Sequence, residues 1–459
     1  MKLKTKITLI AMAVVAPSLN MVQAQEVDND TALVERLKQL EIEMLELQTE
    51  LESLKADKEV IVTQKSALAP KPENTATTAE TAKPANAINW KGAPEVKNKD
   101  GWSVKPRGRM LYDFANLSGV PSGVDIPGEG FSNEARRVRI GIQGTMPGGF
   151  GYKLETDLPG GTSLTDAYID YKNDGLKITI GQHNNFQGFE ELTSSNDSSF
   201  IERAAFTDAF GFQRKLGVSA AFKMSDVNIQ TGVFTDNLDD LDDGNNALSL
   251  DFRAFIAPKI NGMQMHFGAS VHSTDLGDSI DTVRYRARPM VHSVDTRFIN
   301  TDRIEGAEKE FSYGLEYAVI ADRFHAMAEV HSMSVDRTGF EDVSFFGGAI
   351  EAGYFLTDDT RTYKGGVFKA AKVSQPFNEG GMGAWQINVR YDHLDLVDAD
   401  IVGGSQDAFM ASLIWTPINN VRFLVTYGHI SYKDALDVVA GAPADFSVNV
   451  AGARAQISF

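Results

Sequence analysis

Residues 385–392 read Trp-Gln-Ile-Asn-Val-Arg-Tyr-Asp. Trp385, Ile387, Val389 and Tyr391 alternate with Gln386, Asn388, Arg390 and Asp392, a period of two that gives an extended strand one apolar and one polar face. The pattern recurs at Val421/Phe423/Val425/Tyr427, Val138/Ile140/Ile142, Ala167/Ile169/Tyr171, Leu176/Ile178/Ile180 and Phe311/Tyr313/Leu315/Tyr317. Phe409, Ala411, Leu413 and Trp415 alternate with a more mixed set. Segments of about ten residues with one apolar face, often ended by aromatics, are the signature of outer-membrane β-barrel strands. A soluble β-sandwich also alternates, but without long loops confined to one end.

Outward from these strands, the connections sort into two kinds. Tight ones fall near 147–149, 173–175, 223–226, 258–262, 321–322 and 417–420, and long ones at 116–134, 184–212, 236–246, 274–309 and 433–445. Short turns at one end and long loops at the other match a bacterial outer-membrane barrel with both termini on the periplasmic side. The expected fold is all-β, a 16-stranded antiparallel transmembrane barrel. The extended stretches 281–291 and 360–373 are then insertions in a loop and a turn; as wall strands they would raise the count to eighteen. The chain ends at Phe459, on the apolar face of a strand with Ala451, Ala453, Ala455 and Ile457. A terminal outward aromatic resembles the signal that such barrels present to their assembly machinery.

The N-terminus reads differently. Lys2, Lys4 and Lys6 precede the apolar run from Ile7 to Ala16, and Val22-Gln23-Ala24 fits a cleavage site, so residues 1–24 read as a secretory signal peptide. Leu33, Leu37, Leu40, Met44, Leu47, Leu51 and Leu54 form an a/d seam, and residues 25–61 are expected to be a periplasmic coiled coil. The g-to-e pairs Arg36–Glu41 and Glu50–Lys55 suit a parallel homo-oligomer, although Leu at both a and d leaves the strand number open. Residues 62–100 contain an Ala/Thr/Pro/Lys stretch without periodicity and read as a flexible linker; the barrel occupies 101–459.

Composition narrows the function. The 459 residues include no Cys, which excludes disulfide scaffolds, thiolate metal sites and a cysteine nucleophile. A formal charge of -18 argues against nucleic acid as a partner. Taken by itself this composition would suit an acidic soluble protein, and the strand pattern overrides it. The eight His residues are scattered without metal-type spacing, and no Gly-x-Ser-x-Gly elbow is present, so neither an enzyme nor a cofactor is expected.

A barrel of sixteen strands leaves an aqueous lumen, so chemistry is read from inward positions. With Val138, Ile140 and Ile142 on lipid, Arg137 and Arg139 point inward, since a charge on the lipid face costs roughly 2–4 kcal/mol near the midplane. Arg136, one residue out of register, belongs at a bulge or the rim. Asp166 falls opposite Ala167, hence inward. In Val283-Arg-Tyr-Arg-Ala-Arg288, the residues Arg284, Arg286 and Arg288 share one face at roughly 6.5–7 Å spacing, a ladder able to grip phosphate or carboxylate. The same arginines could instead pair with acids on the barrel wall.

These segments together resemble the phosphate-selective porins O and P, across essentially all of 101–459. The resemblance rests on Ala-Arg-Arg-Val-Arg-Ile (135–140), Thr-Asp-Ala-Tyr-Ile-Asp-Tyr (165–171), Val-Arg-Tyr-Arg-Ala-Arg-Pro (283–289), Arg-Thr-Tyr-Lys-Gly-Gly (361–366) and Gly-Ala-Trp-Gln-Ile-Asn-Val-Arg-Tyr-Asp (383–392). It implies a homotrimer in which a loop and a periplasmic turn fold into the lumen. It further implies that Arg136 and Arg137 border a central anion site shared with Asp166, and that the ladder continues to His292. The family's constriction loop supplies lysines. The matching stretch here, Asn185 to Arg203, has none and carries Glu190, Glu191, Asp197 and Glu202, with Arg203 the only cation. The resemblance thus implies a bacterial outer-membrane porin in contact with outer-membrane lipid and passing small anionic solutes, with weaker phosphate selectivity than the type family. A general or weakly cation-selective porin whose coiled coil tethers the envelope is the alternative.

Overall fold

The computed structural model describes residues 86–121, 129–240, 247–435 and 443–459. The expected signal peptide and coiled coil lie outside the described residues.

Sixteen strands form the wall, numbered in chain order. The first six are β1 (Ser103–Ser118), β2 (Gly130–Thr145), β3 (Phe150–Asp157), β4 (Ser163–Asn173), β5 (Leu176–Asn184) and β6 (Arg214–Met224). Then come β7 (Val227–Phe234), β8 (Leu248–Ile256), β9 (Met263–Asp275), β10 (Ala307–Ala321) and β11 (Phe324–Arg337). The circuit ends with β12 (Val343–Phe355), β13 (Ala384–Asp398), β14 (Ile401–Ile418), β15 (Val421–Lys433) and β16 (Phe446–Ser458). Each strand pairs antiparallel with the next, and β16 closes on β1 from Asn449↔Ser118 to Ser458↔Arg109. Closure removes every sheet edge from the hydrocarbon, where an unpaired backbone group has no partner. At the seam Phe459 and Gly108 exchange backbone hydrogen bonds of 2.9 and 3.1 Å. A β-carbon at residue 108 would collide with the Phe459 ring, so any side chain there would displace the ring.

The alternation of β13 sets the wall's two faces. Ile387 and Val389 are 44% and 60% exposed on the outside, whereas Gln386, Asn388, Arg390 and Asp392 are buried toward the lumen. The stretches 281–291 and 360–373 stand off the wall, as the sixteen-strand reading requires. The first contributes Thr282–Val283 and Arg286–Ala287 to two-stranded pairs within the 276–306 loop, and the second contains a hairpin, Thr362–Lys364 with Val367–Lys369. Both chain termini of the barrel lie at one end, the near end; the long loops leave the far end. The asymmetry is incomplete, because the far connections at 338–342 and 399–400 are as tight as near-end turns.

Part of the expected linker is structured. Asn86–Lys91 and Ala93–Asn98 form a hairpin about Gly92, whose φ of 77° suits glycine, and it joins the foot of β1 through Val96↔Val104 and Lys97↔Ser103. Ile88, Trp90, Pro94 and Val96 alternate with polar residues there, a short period-two signal inside a run that reads as low complexity.

The hydrophobic core lies inside the barrel, on one side. Inward residues of β11 to β16, among them Met333, Phe345, Leu394, Ile414 and Ile430, pack with Phe200, Ile201 and Phe206 of the 185–213 loop. Tyr285, Phe298 and Ile299 of the 276–306 loop join the same cluster. The loops therefore fill the β10–β16 half of the lumen and leave the β1–β7 half open. This explains the mixed inward set opposite Phe409 to Trp415: those positions face packed loops instead of water.

Candidate functional site

The 185–213 loop is fastened to the wall by carboxylates and guanidiniums. It contains two short helices, α1 (Phe189–Leu192) and α2 (Ala205–Ala209). The Glu329 carboxylate accepts the amide N–H of Phe189 at 3.0 Å and of Glu190 at 2.6 Å, and Asp392 accepts that of Ala205 at 3.0 Å. Arg422 donates to the carbonyls of Asn196 and Ser198 at 3.3 and 2.5 Å. Asp251 accepts the Phe186 amide and holds the His272 imidazole, whose other nitrogen bonds Thr274 at 2.8 Å. This acid–imidazole–hydroxyl chain pins the loop, and with Thr274 1% exposed no substrate could reach it.

The near-end turn 356–383 enters the same half of the lumen. Arg253 is bidentate to Glu316 at 2.7 and 2.5 Å and donates to the Gly366 carbonyl at 2.9 Å, while His266 bonds the Tyr363 hydroxyl at 2.7 Å. Arg361 donates to the Asp197 carbonyl, tying turn to loop.

Two polar chambers remain along β1–β7, one of about 240 Å³ toward the far end and one of about 330 Å³ toward the near end. Arg137, Arg139, Glu191, Arg203 and Arg214 border both, so they form the neck. A β-bulge builds this neck. Leu111 pairs with Arg137 and Tyr112 with Ala135, leaving Arg136 as the extra residue and turning two consecutive arginines to the interior.

The acids of the loop do not face the neck unopposed. Glu202 accepts both prongs of Arg136 at 2.7 and 3.0 Å and lies 3.3 Å from Arg454. Burial alone would push the Glu202 carboxyl up, but Arg136 and then Arg454 outweigh it and hold its pKa well below the usual carboxylate range. Glu191 lies 3.3 Å from Arg203, Glu190 lies 3.7 Å from Arg390, and Asp197 lies 3.6 Å from Lys369. Arg203 also donates to the carbonyls of Glu190, Glu191 and Thr193 at 2.8 to 3.0 Å, so it staples the loop to itself. Of the neck arginines, Arg139 pairs with Asp157 at 2.8 Å and Arg214 with Asp166 at 3.3 Å. Asp166 also takes Lys153 at 2.8 Å. Among the described residues, the Arg137 side chain has no hydrogen-bond or ion-pair partner, and the charges of Arg136, Arg139, Arg203 and Glu202 bear on it.

The near chamber carries cations that the loop-centred sequence reading did not single out: Arg107, Arg109, Lys153 and Lys177. Arg107, Arg109, Arg139 and Lys153 all share one buried carboxylate, Glu155, at 3.5 to 3.9 Å. With Asp157 also taken by Arg139 and Asp166 shared by Lys153 and Arg214, five cations meet three acids here, which leaves excess positive charge. Parity could have found them, since Arg107 and Arg109 alternate with Gly108, Met110 and Tyr112, and Lys153 alternates with Tyr152 and Leu154.

The ladder in the 276–306 loop presents arginines on one face, with Tyr285 and Ala287 buried on the other. Arg284 bonds Asn300 at 2.8 Å and Asp302 at 3.3 Å, and Arg288 reaches Asp295 at 3.2 Å. Arg286 has no partner among the described residues. Arg288 and His292 line the far chamber, His292 bonded to Glu134 at 2.8 Å, whereas Arg284 and Arg286 do not reach it. Arg297, outside the sequence pattern, joins this group; burial and then Arg288 lower its pKa to about 10.

A family model for phosphate-selective porin O and P matches residues 104–459. An uncharacterized protein of Caulobacter vibrioides is 43% identical over 82% of this chain and 79% of its own length. Porin O of Pseudomonas aeruginosa is 26% identical over 69% of this chain and 78% of its own. Among solved structures, the outer-membrane OmpT of Vibrio cholerae aligns with a TM-score of 0.51 at 10% identity, over 79% of this chain and 99% of that one, a likeness of fold.

Proposed function

The chain belongs to the phosphate-selective porin O and P family, and from that footing we propose that it is an outer-membrane diffusion porin passing small anions, phosphate-like solutes among them. The observation that carries this reading is Arg137, a guanidinium without a partner among the described residues at the neck between two basic chambers. Arg136, Arg139 and Asp166 act as its frame, since each is committed to a partner. Arg284, Arg286, Arg288 and His292 form the approach from the far, external side. The acids Glu190, Glu191, Asp197 and Glu202, which alone would favour a cation channel, are each matched by a cation. One unpaired guanidinium at the neck and no loop lysine support an anion preference with looser phosphate binding than in the type family. In the same reading residues 1–24 are a cleaved signal, 25–61 a periplasmic coiled coil, and the barrels associate as a homotrimer.

Planar-bilayer reversal potentials under a salt gradient test the reading. Wild type should show the anion-preferring sign, and phosphate should reduce the chloride current. A hydrogen bond to a charged group contributes about 1.5–3 kcal/mol, so Arg137→Ala should weaken half-block by phosphate roughly ten- to a hundredfold. A cation-preferring wild type, unchanged by Arg137→Ala, would overturn it.

A further inference from the structure

On the outer face of the wall, β16 presents Ala451, Ala453 and Ala455 between taller neighbours. By register Ala455 lies between Phe423 of β15 and Tyr112 of β1, and Ala453 between Val425 and Phe114. The result is a trench of about 370 Å³ with an alanine floor, walled by Phe423 and Trp415 on one side and Phe114 on the other. The β15 and β1 backbones stand two strand spacings apart, about 9.5 Å, which leaves room between their side chains for one extended hydrocarbon chain.

We propose that this trench binds one acyl chain of a phospholipid whose headgroup lies at the near, periplasmic end. The choice of lipid over a neighbouring subunit comes from the aromatics. Trp and Tyr mark membrane–water boundaries. All four tryptophans of the chain stand at the near end of this sector: Trp90 on the hairpin, Trp102 beside the foot of β1, and Trp385 and Trp415 on β13 and β14. Trp385 stacks on Trp415 and Trp415 on Phe423, each at 5.6 Å, which makes the trench wall rigid. Trp90 and Trp102 remain 71% and 51% exposed. Tyr391 and Tyr427 stand at mid-strand on β13 and β15, each hydroxyl bonded, to Asp407 at 2.6 Å and to Asn449 at 2.9 Å. A sector that gathers every tryptophan of the chain at one boundary suits lipid. Lys99, exposed in the turn that precedes β1, suits a headgroup phosphate.

The test uses the delipidated full chain in detergent, titrated with phosphatidylethanolamine carrying brominated acyl chains, which quench tryptophan on contact. Two of the four tryptophans line the trench, so quenching should saturate at up to about half of the emission, with one lipid per protomer. Ala453→Phe fills the floor and should abolish the saturable component while conductance and oligomeric state stay as in wild type; Phe114→Ala removes a wall and should weaken it severalfold. Quenching that rises without saturation in wild type, or saturates unchanged in both variants, overturns the proposal. So does Ala453→Phe yielding monomers by light scattering, because the trench would then seat a second copy.

Discussion

At the scale of single residues, position relative to a bulge decides what an arginine does. Arg136 and Arg137 are adjacent in sequence and alike in chemistry, yet Arg136 is neutralised by Glu202 while Arg137 is left open at the neck. Removing the acid should therefore have the opposite sign from removing the open arginine. In Glu202→Gln the Arg136 charge, which borders the far chamber, is released toward an anion there, worth roughly 1–2 kcal/mol at an effective dielectric near 20. Phosphate half-block should tighten about tenfold by that arithmetic, and the reversal potential should move further toward anions. The pH dependence follows from the depressed Glu202 carboxyl. An acid whose folded pKa lies below its free value stays ionised as pH falls through the ordinary carboxylate range, and its hold on the loop weakens only as pH falls through the folded value. Wild type should therefore show no Glu202-dependent change of selectivity between about pH 5.5 and about pH 3.5, an interval that spans the ordinary Glu pKa, when it is compared with Glu202→Gln over the same range. A wild type that gains the anion preference of Glu202→Gln over that interval would show that Glu202 is not held ionised.

At the scale of elements, the pore owes its shape to loops latched inside a closed wall. Gly188 precedes α1 with φ of 128°, and a β-carbon there would collide with the Glu329 carboxylate that holds the helix's first amides. Gly188→Ala should displace the constriction loop, and Glu329→Ala would leave two buried N–H groups bare at about 1–3 kcal/mol each. For both variants single-channel recordings should show a barrel that still inserts but flickers among conductance levels; steady wild-type current would refute the latch. The wall was legible in the sequence because lipid enforces a strict period of two, as along Trp385 to Tyr391. Of the neck arginines, Arg137 and Arg139 were legible for the same reason, since no charge of theirs could face lipid, whereas Arg214 was not singled out. The latches were not. Glu329, Asp392, Arg422 and Arg253 sit at ordinary inward positions of their strands, and their partners are backbone groups more than a hundred residues distant in the case of Phe189, Ala205 and Gly366. No local pattern encodes such pairings. The hairpin 86–98 was missed because two short strands within an Ala/Pro-rich run have too few alternations to stand out.

At the scale of the whole molecule, the barrel wall has two unlike halves. Strands β3 to β8 have 8 to 11 residues, while β1, β2 and β9 to β16 have 13 to 18. A strand of eight or nine residues tilted by about 45° rises only about 19–21 Å, short of the roughly 25 Å apolar band of a lipid-facing barrel. The far ends of β3 to β8 also carry no outward Tyr or Trp. Moreover, β3 to β7 are a single layer with open pore on their inner face, whereas β10 to β16 are backed by packed loops. In the homotrimer proposed above, we expect this short half to be the face covered by neighbouring subunits, which would both supply the missing span and stiffen a wall that carries the selectivity residues. The absence of Cys makes the test clean. Spin labels at Ile180→Cys and Val218→Cys on β5 and β6 should be shielded from membrane-dissolved oxygen in the reconstituted full chain, and a label at Val389→Cys on β13 should be fully accessible. Equal accessibility at all three sites in a particle that light scattering shows to be trimeric would move the subunit contact elsewhere. A monomeric particle would instead remove the trimer itself, and the short wall would then have to thin the bilayer around it.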